Sequence, residues 1–195
     1  MMKLLIAILL TSLTFALSPG EKAPEFILMN QKGELVSLEN LKGRRIVLEW
    51  YNEGCPFVRK HYDSKNMQET QTFALRHGYT WLTINSSNVG KQGYIEDSEA
   101  AKKRLKAEGS RAQHFLLDTK GVTGRLYNAK TTPEIFIINE QGRIDYMGGI
   151  DSIPSADKSD IQKAENYVKT AIKEIAKGEK VSTAKTKPYG CSVKY

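Results

Sequence analysis

The chain predicts an α/β fold, a central mixed β-sheet flanked by helices on both faces. Three observations carry that expectation. Apolar strand-like runs alternate with polar, helix-like stretches from Arg44 to Leu117, a hairpin pattern follows around Glu140-Gln141-Gly142, and no internal repeat or low-complexity linker divides the chain. With 195 residues, 40% of them hydrophobic and 9% aromatic, there is enough apolar material for one ordinary core.

Taken in order, Met1-Met2-Lys3 is a short basic start, Leu4 to Leu10 an apolar centre, and Thr14 and Ala16 the small residues of a cleavage site. That is the pattern of a secretory signal peptide over residues 1–18, cut near Ala16 or Ser18. Its apolar run is interrupted by Thr11, Ser12 and Thr14 and is shorter than the roughly 20 residues of a bilayer span. Export to a bacterial periplasm is expected, with no membrane span after cleavage.

The domain then occupies residues 19–177. Ala23-Pro24-Glu25-Phe26 reads as an extended entry, and Gly33 to Leu38 as the second arm of a short hairpin turning at Gln31-Lys32-Gly33. Arg44 to Tyr51 is a strand of the buried type. Pro56 to His77 reads as one long helix, opened by a proline in its first turn and stopped by Gly78. Tyr79 to Ser86 is a strand with Trp81, Thr83 and Asn85 facing away from Leu82 and Ile84.

Asn88 to Asp97 is a polar loop, Ser98 to Glu108 a helix closed by Gly109, Phe115-Leu116-Leu117 a short strand and Val122 to Tyr127 a helical turn. Glu134 to Asn139 and Arg143 to Met147 form the late hairpin. Asp157 to Lys177 is the last helix, with Ile161, Ala164, Tyr167, Val168, Ala171, Ile172 and Ile175 on one face. Residues 178–195 have no clear period and are expected to form an irregular, mobile tail carrying Cys191.

Net charge is +7, but the cations are spread along the chain and interleaved with Asp and Glu, unlike the one-sided clusters of a nucleic-acid surface. No dinucleotide fingerprint is present, and no flavin, nucleotide or metal is implied.

The two cysteines, Cys55 and Cys191, both lie in the exported part. In an oxidising compartment such a pair is a structural staple or a redox couple. As a staple the bond would close a loop of 136 residues, stabilising by roughly 4 to 5 kcal/mol on chain-entropy grounds. Cys55 sits in Asn52-Glu53-Gly54-Cys55-Pro56-Phe57-Val58, where a strand hands over to a helix. The first amides of a helix and its positive dipole end favour thiolate over thiol, so this turn suits an exposed nucleophile. Glu53 opposes that unless it turns outward. His61, six residues on, points away from the thiol on a helix.

The ordered set of strand, turn with Cys55, long helix, and Thr131-Thr132-Pro133 before a strand resembles the thioredoxin-like superfamily in its peroxiredoxin-like branch. More narrowly, Glu49 to Tyr62, Ser86 to Tyr94, Ala129 to Pro133 and Tyr189 to Tyr195 are similar to secreted bacterial proteins of the alkyl hydroperoxide reductase/thiol-specific antioxidant (AhpC/TSA) kind. The resemblance implies a thioredoxin-like fold with Pro133 cis beside Cys55, and Thr132 lining a groove where a substrate chain pairs edge to edge. Trp50 is expected in the groove wall.

It also implies a thiol-dependent oxidoreductase with Cys55 as nucleophile and Cys191 as resolving thiol. The electron donor would be an exported thiol-disulfide protein or a small thiol, and the substrate a protein disulfide or a hydroperoxide. The departures shape the reading. Val58 replaces the second cysteine of a Cys-x-x-Cys turn, so no disulfide forms within the motif. Asn52 stands three residues before Cys55, where a peroxidatic cysteine has Thr or Ser, and Leu48 stands in place of the proline seven before it. Those departures weigh against efficient peroxide reduction and leave a peroxidase, and a redox-inert peptide-binding module, as alternatives. A copper site would need His114 as its distant ligand.

Overall fold

The computed structural model describes residues 17–195. The expected signal segment therefore lies outside the described residues except for Leu17 and Ser18. Nine strands follow: β1 (Ile27–Asn30), β2 (Leu35–Ser37), β3 (Arg45–Trp50), β4 (Tyr79–Asn85), β5 (His114–Leu117), β6 (Thr131–Thr132), β7 (Glu134–Ile138), β8 (Ile144–Gly148) and β9 (Cys191–Ser192). The helices are α1 (Pro56–Asp63), α2 (Asn66–Arg76), α3 (Ser98–Ala107), α4 (Val122–Leu126) and α5 (Tyr167–Ala176). Seven strands form one mixed sheet in the order β2-β1-β5-β4-β3-β7-β8, with β3-β4 and β4-β5 parallel and the other pairs antiparallel.

The strand alternation sorts side chains onto two cores. Val47, Tyr79, Trp81, Ile135 and Ile137 point to the face covered by α1, α2, α3 and α5, together with Cys55, Val58, Met67 and Ile172. Ile46, Leu48, Trp50, Leu82, Ile84, Phe136 and Ile138 point to the other face, covered by Phe26, Leu41 of a 3-10 turn and Tyr127 at the end of α4. Both faces are buried, which is why the central strands read as nearly continuous apolar runs.

Two expected helices are broken. Residues 56–77 form α1 and α2, separated at Ser64 and Lys65, with Lys65 left-handed at φ 68°. The Ser64 hydroxyl donates back to the Lys60 carbonyl at 2.6 Å, a local bond that competes with the helix ladder. Residues 157–177 likewise divide into a 3-10 turn at Lys158–Gln162 and α5, whose start is capped by the Asn166 side chain accepting from the Lys169 amide at 2.9 Å. Ile161 and Ala164 thus fall outside the α-helix.

The tail is also unlike its expectation. It has little regular structure, but it is tied down along its length. The Met147 amide donates to the Ala184 carbonyl and the Thr186 amide to the Met147 carbonyl, laying the chain beside β8. Thr186 Oγ1 accepts from the Gly149 amide at 3.0 Å, and a Cβ on Gly148 would stand 2.2 Å from that oxygen. Further on, β9 pairs antiparallel with β6, and Lys194 accepts from the Asn88 amide at 2.8 Å. The last ring, Tyr195, lies in a notch at Gly121 and Gly124, where any added Cβ would meet it; its hydroxyl donates to the Ala129 carbonyl at 2.8 Å.

Candidate active site

Cys55 is the N-cap residue of α1, extended at φ −85°, ψ 120°, with Pro56 beginning the helix. Asn52 builds the turn that presents it. Its Oδ1 accepts from the Gly54 amide at 2.9 Å, its carbonyl from the Cys55 amide at 3.2 Å, and its Nδ2 donates to the Gln92 carbonyl at 2.9 Å. Gly93, at φ +75°, is required here because a Cβ would lie 2.3 Å from Asn52 Oδ1. The loop Ser86 to Tyr94 is therefore the outer clamp of the cysteine turn.

Across from the turn, the Thr132-Pro133 peptide is cis. The Glu134 carboxylate accepts from the Lys130 and Thr131 amides at 2.7 and 3.1 Å, holding the chain ahead of that bend. Cys55 Sγ donates to the Thr132 carbonyl at 3.0 Å. On the other side of Thr132 comes Cys191, its register partner in the β6-β9 pair, so the tail is hydrogen-bonded along the edge next to Pro133. Gly190, at φ +140°, passes so close that a Cβ would stand 2.0 Å from the Thr132 carbonyl oxygen. Both cysteines are free thiols in this structure, and their side chains are in contact.

The electrostatics of the two sulfurs diverge. Burial pushes the Cys55 thiol up, but the thiol and amide of Cys191, the Thr132 hydroxyl and the Val58 amide all favour its ionised form, and the net shift is downward. The Val58 amide acts here as the positive end of α1, although no side chain caps the helix with an ordinary hydrogen bond. Cys191 moves the opposite way, up to about 11, through burial and the neighbouring Cys55. Apart from that support of the Cys55 sulfur, the buried Thr132 hydroxyl has no hydrogen-bond partner.

Cys55 is fully buried, against the expectation of an open thiol. The cover is the tail, with Cys191 over the sulfur and Tyr189 packed edge-on against Phe57 of α1. Trp50 does not line this site. It is fully buried in the opposite core, tilted against Tyr127, edge-on to Phe136 and donating to Ser86 Oγ at 3.1 Å. Strand parity decides this, since Trp50 and the neighbouring Tyr51 face opposite sides of β3. Glu53 turns outward to pair with Arg104 of α3, so its charge is taken from the thiol.

Sequence reasoning missed the polar anchor of the tail. Lys60, completely buried, donates to Asp151 Oδ2 at 3.1 Å and to the Ile153 carbonyl at 2.9 Å. The Tyr189 hydroxyl donates to Asp151 and lies 3.2 Å from His61 Nε2, whose other nitrogen faces Asn66 at 2.7 Å. His61 is thus committed to the tail and not to the thiol. Its burial lowers its pKa to about 4, keeping the ring neutral. The only sequence signal was indirect: adjacent Lys60 and His61 on what reads as a surface helix, and a Tyr-Gly-Cys triplet at the far end. His114 contacts Asn30, and no three His, Cys, Asp or Glu side chains among the described residues are grouped to hold a metal.

The cysteine at the head of α1, the cis proline facing it and the mixed sheet beneath define a thioredoxin-like thiol protein. The chain belongs to the AhpC/TSA family, whose model matches residues 19–147. It is 29% identical over 124 residues to sporulation thiol-disulfide oxidoreductase A of Bacillus subtilis, covering 62% of this chain and 67% of that one. It is 26% identical over 132 residues to a Coxiella burnetii protein provisionally named peroxiredoxin bcp, covering 55% and 86%. Among solved structures, an uncharacterized conserved protein of Geobacillus kaustophilus superposes with a TM-score of 0.73 at 26% identity, covering 91% and 92% of the two chains.

Proposed function

We propose that this protein is an exported thiol-disulfide oxidoreductase whose working pair is Cys55 and Cys191. Residues 1–18 act as the secretory signal, and residues 19–195, tail included, form the mature protein. No helix of the described residues is long and apolar enough to cross a membrane. One observation carries the reading. Two cysteines 136 positions apart are brought into side-chain contact beside the cis Pro133, one with its pKa lowered and the other raised.

In the reaction, the Cys55 thiolate attacks an oxidised sulfur of the substrate and forms a mixed disulfide. The Cys191 thiolate then attacks Cys55 Sγ, releases the reduced substrate and leaves a Cys55-Cys191 disulfide. An exported thiol-disulfide protein or a small thiol supplies the two electrons that return both cysteines to thiols. Because Thr132 is paired with the chain's own tail, the groove beside Pro133 is open to an external strand only after the tail moves.

Peptide mass mapping of the protein purified without reductant tests the reading. A Cys55-Cys191 link reduced reversibly by dithiothreitol, with exchange activity lost in Cys55→Ser and Cys191→Ser, supports it. Absence of that link under oxidising conditions, or a link that resists dithiothreitol in the folded protein, overturns it.

A second reading has its own support. The Thr132 hydroxyl, buried and held only by the Cys55 sulfur it supports, is a donor placed where a small oxidant would meet that sulfur, and a closed site admits a hydroperoxide more readily than a peptide. In that case a hydroperoxide oxidises Cys55 to the sulfenic acid and Cys191 condenses with it, releasing water. Hydroperoxide consumption lost in Cys55→Ser distinguishes the two.

A further inference from the structure

The couple proposed above has two sulfurs in very different surroundings. Cys55 is fully buried: the turn at Asn52, the start of α1 and the Thr132-Pro133 bend enclose it on three sides, and the tail closes the fourth. Cys191 is part-exposed, on the outer strand of a two-stranded ribbon. Immediately before it, Gly190 and Tyr189 border an open groove whose other walls include Thr131, Ser152, Pro154 and Lys187. The tail thus occupies the position of a paired external strand, and its own cysteine, in contact with Cys55 on one side, stays part-exposed on the other.

We propose that an external thiol exchanges with the Cys55-Cys191 disulfide at the sulfur of Cys191, never directly at Cys55. An external thiolate attacks Cys191 Sγ, a new S–S bond forms between the two, the Cys55-Cys191 bond breaks, and its electron pair leaves on Cys55 as the thiolate. A second thiolate, from the same dithiol donor or another thiol, attacks the sulfur of the external partner, releasing Cys191, which takes up a proton. The donor is oxidised by two electrons and the couple reduced by two.

Two independent features favour this direction. Access is one, since Cys191 is part-exposed whereas Cys55 is fully buried. Leaving-group quality is the other, because a disulfide splits more readily toward the sulfur with the lower thiol pKa, and here that is Cys55. The donor docks along residues 187–191 of the tail, so its recognition depends on this segment and not on the sheet edge beside Pro133. This inference rests on the Cys55-Cys191 couple and adds the point of entry.

The test uses the oxidised full-length protein, mixed briefly with excess glutathione, quenched in acid and alkylated with N-ethylmaleimide before peptide mapping. Glutathione on Cys191 with N-ethylmaleimide on Cys55 is expected. Glutathione on Cys55 with N-ethylmaleimide on Cys191 overturns the proposal while leaving the couple intact. If no disulfide forms in the starting material, it is the couple that fails.

A second measurement addresses access alone. In reduced Cys191→Ser, the rate at which a bulky maleimide labels Cys55 is compared with that in Cys191→Ser/Tyr195→Ala. Loosening the tail speeds labelling by about tenfold, as expected when a local opening controls access. Equal, fast labelling in both means that Cys55 is open without tail movement, and overturns the proposal.

Discussion

Two buried titratable groups on the α1 side of the sheet set opposite pH dependences, and separating them is the sharpest test of the electrostatics. Glu49, fully buried on β3, accepts hydrogen bonds from Trp81 Nε1 at 2.8 Å, the Tyr62 hydroxyl at 2.8 Å, Thr83 Oγ1 at 3.1 Å and Gln71 Nε2 at 3.3 Å, and it makes no ion pair. Burial outweighs those four donors and raises its pKa from 4.5 to about 7. Between those values the folded state keeps a proton that the unfolded state has released. Its contribution is therefore favourable at low pH and is lost as pH rises, by about 3 kcal/mol over the window.

His61 runs the other way. Its pKa falls from 6.5 to about 4, so between those values the unfolded state binds the extra proton and stability rises with pH, again by about 3 kcal/mol. The two slopes nearly cancel in the wild-type protein. Glu49→Gln removes one of them, leaving the His61 slope. Urea unfolding of the reduced protein at several values between pH 4 and 8 measures this. Relative to wild type, Glu49→Gln gains about 3 kcal/mol from the acid end to the neutral end. Wild-type and variant curves that stay parallel across the window refute the account, because Glu49 would then titrate alike in both states.

Three other outcomes follow from particular contacts. Lys60→Met leaves the buried Asp151 carboxylate without its cation and lowers stability by about 3 to 5 kcal/mol in chemical denaturation; a loss near zero would show that Asp151 is satisfied by Tyr189 and the Ile153 amide. Trp50→Phe lowers stability through lost packing but leaves the thiol-exchange rate unchanged, since Trp50 faces the core opposite Cys55; a changed rate in the folded variant contradicts that placement. Gly124→Val drives a side chain into the Tyr195 ring, where an added Cβ already stands 2.5 Å from the hydroxyl oxygen, and it speeds maleimide labelling of Cys55 in a Cys191→Ser background. Unchanged labelling would mean that the terminal ring does not hold the tail closed.

Much of the architecture was legible in the chain because it is written in local periods. The alternation in β3, β4 and β7, the glycine stops at Gly78 and Gly109, and the Pro56 start of α1 each depend on neighbours a few residues away. The helix breaks at Ser64-Lys65 and before Asn166 were less visible. There the choice between a continuous helix and two shorter ones is settled by which side chains the tertiary fold buries, Lys60 and His61 among them. Trp50 was misplaced for a related reason: in a strand buried on both faces, composition does not say which face is which.

The site divides along the same line. By itself the sequence determined that a cysteine begins a helix and that Thr132-Pro133 precedes a strand, since both are statements about adjacent residues. Only the tertiary structure decided that Cys55 is covered, that Cys191 is what covers it, and that Lys60, Asp151, His61 and Tyr189 hold the cover in place. Those contacts join positions 38 to 136 residues apart, and no local pattern records them, because their energy arises only when burial removes water from groups that then have one another as partners.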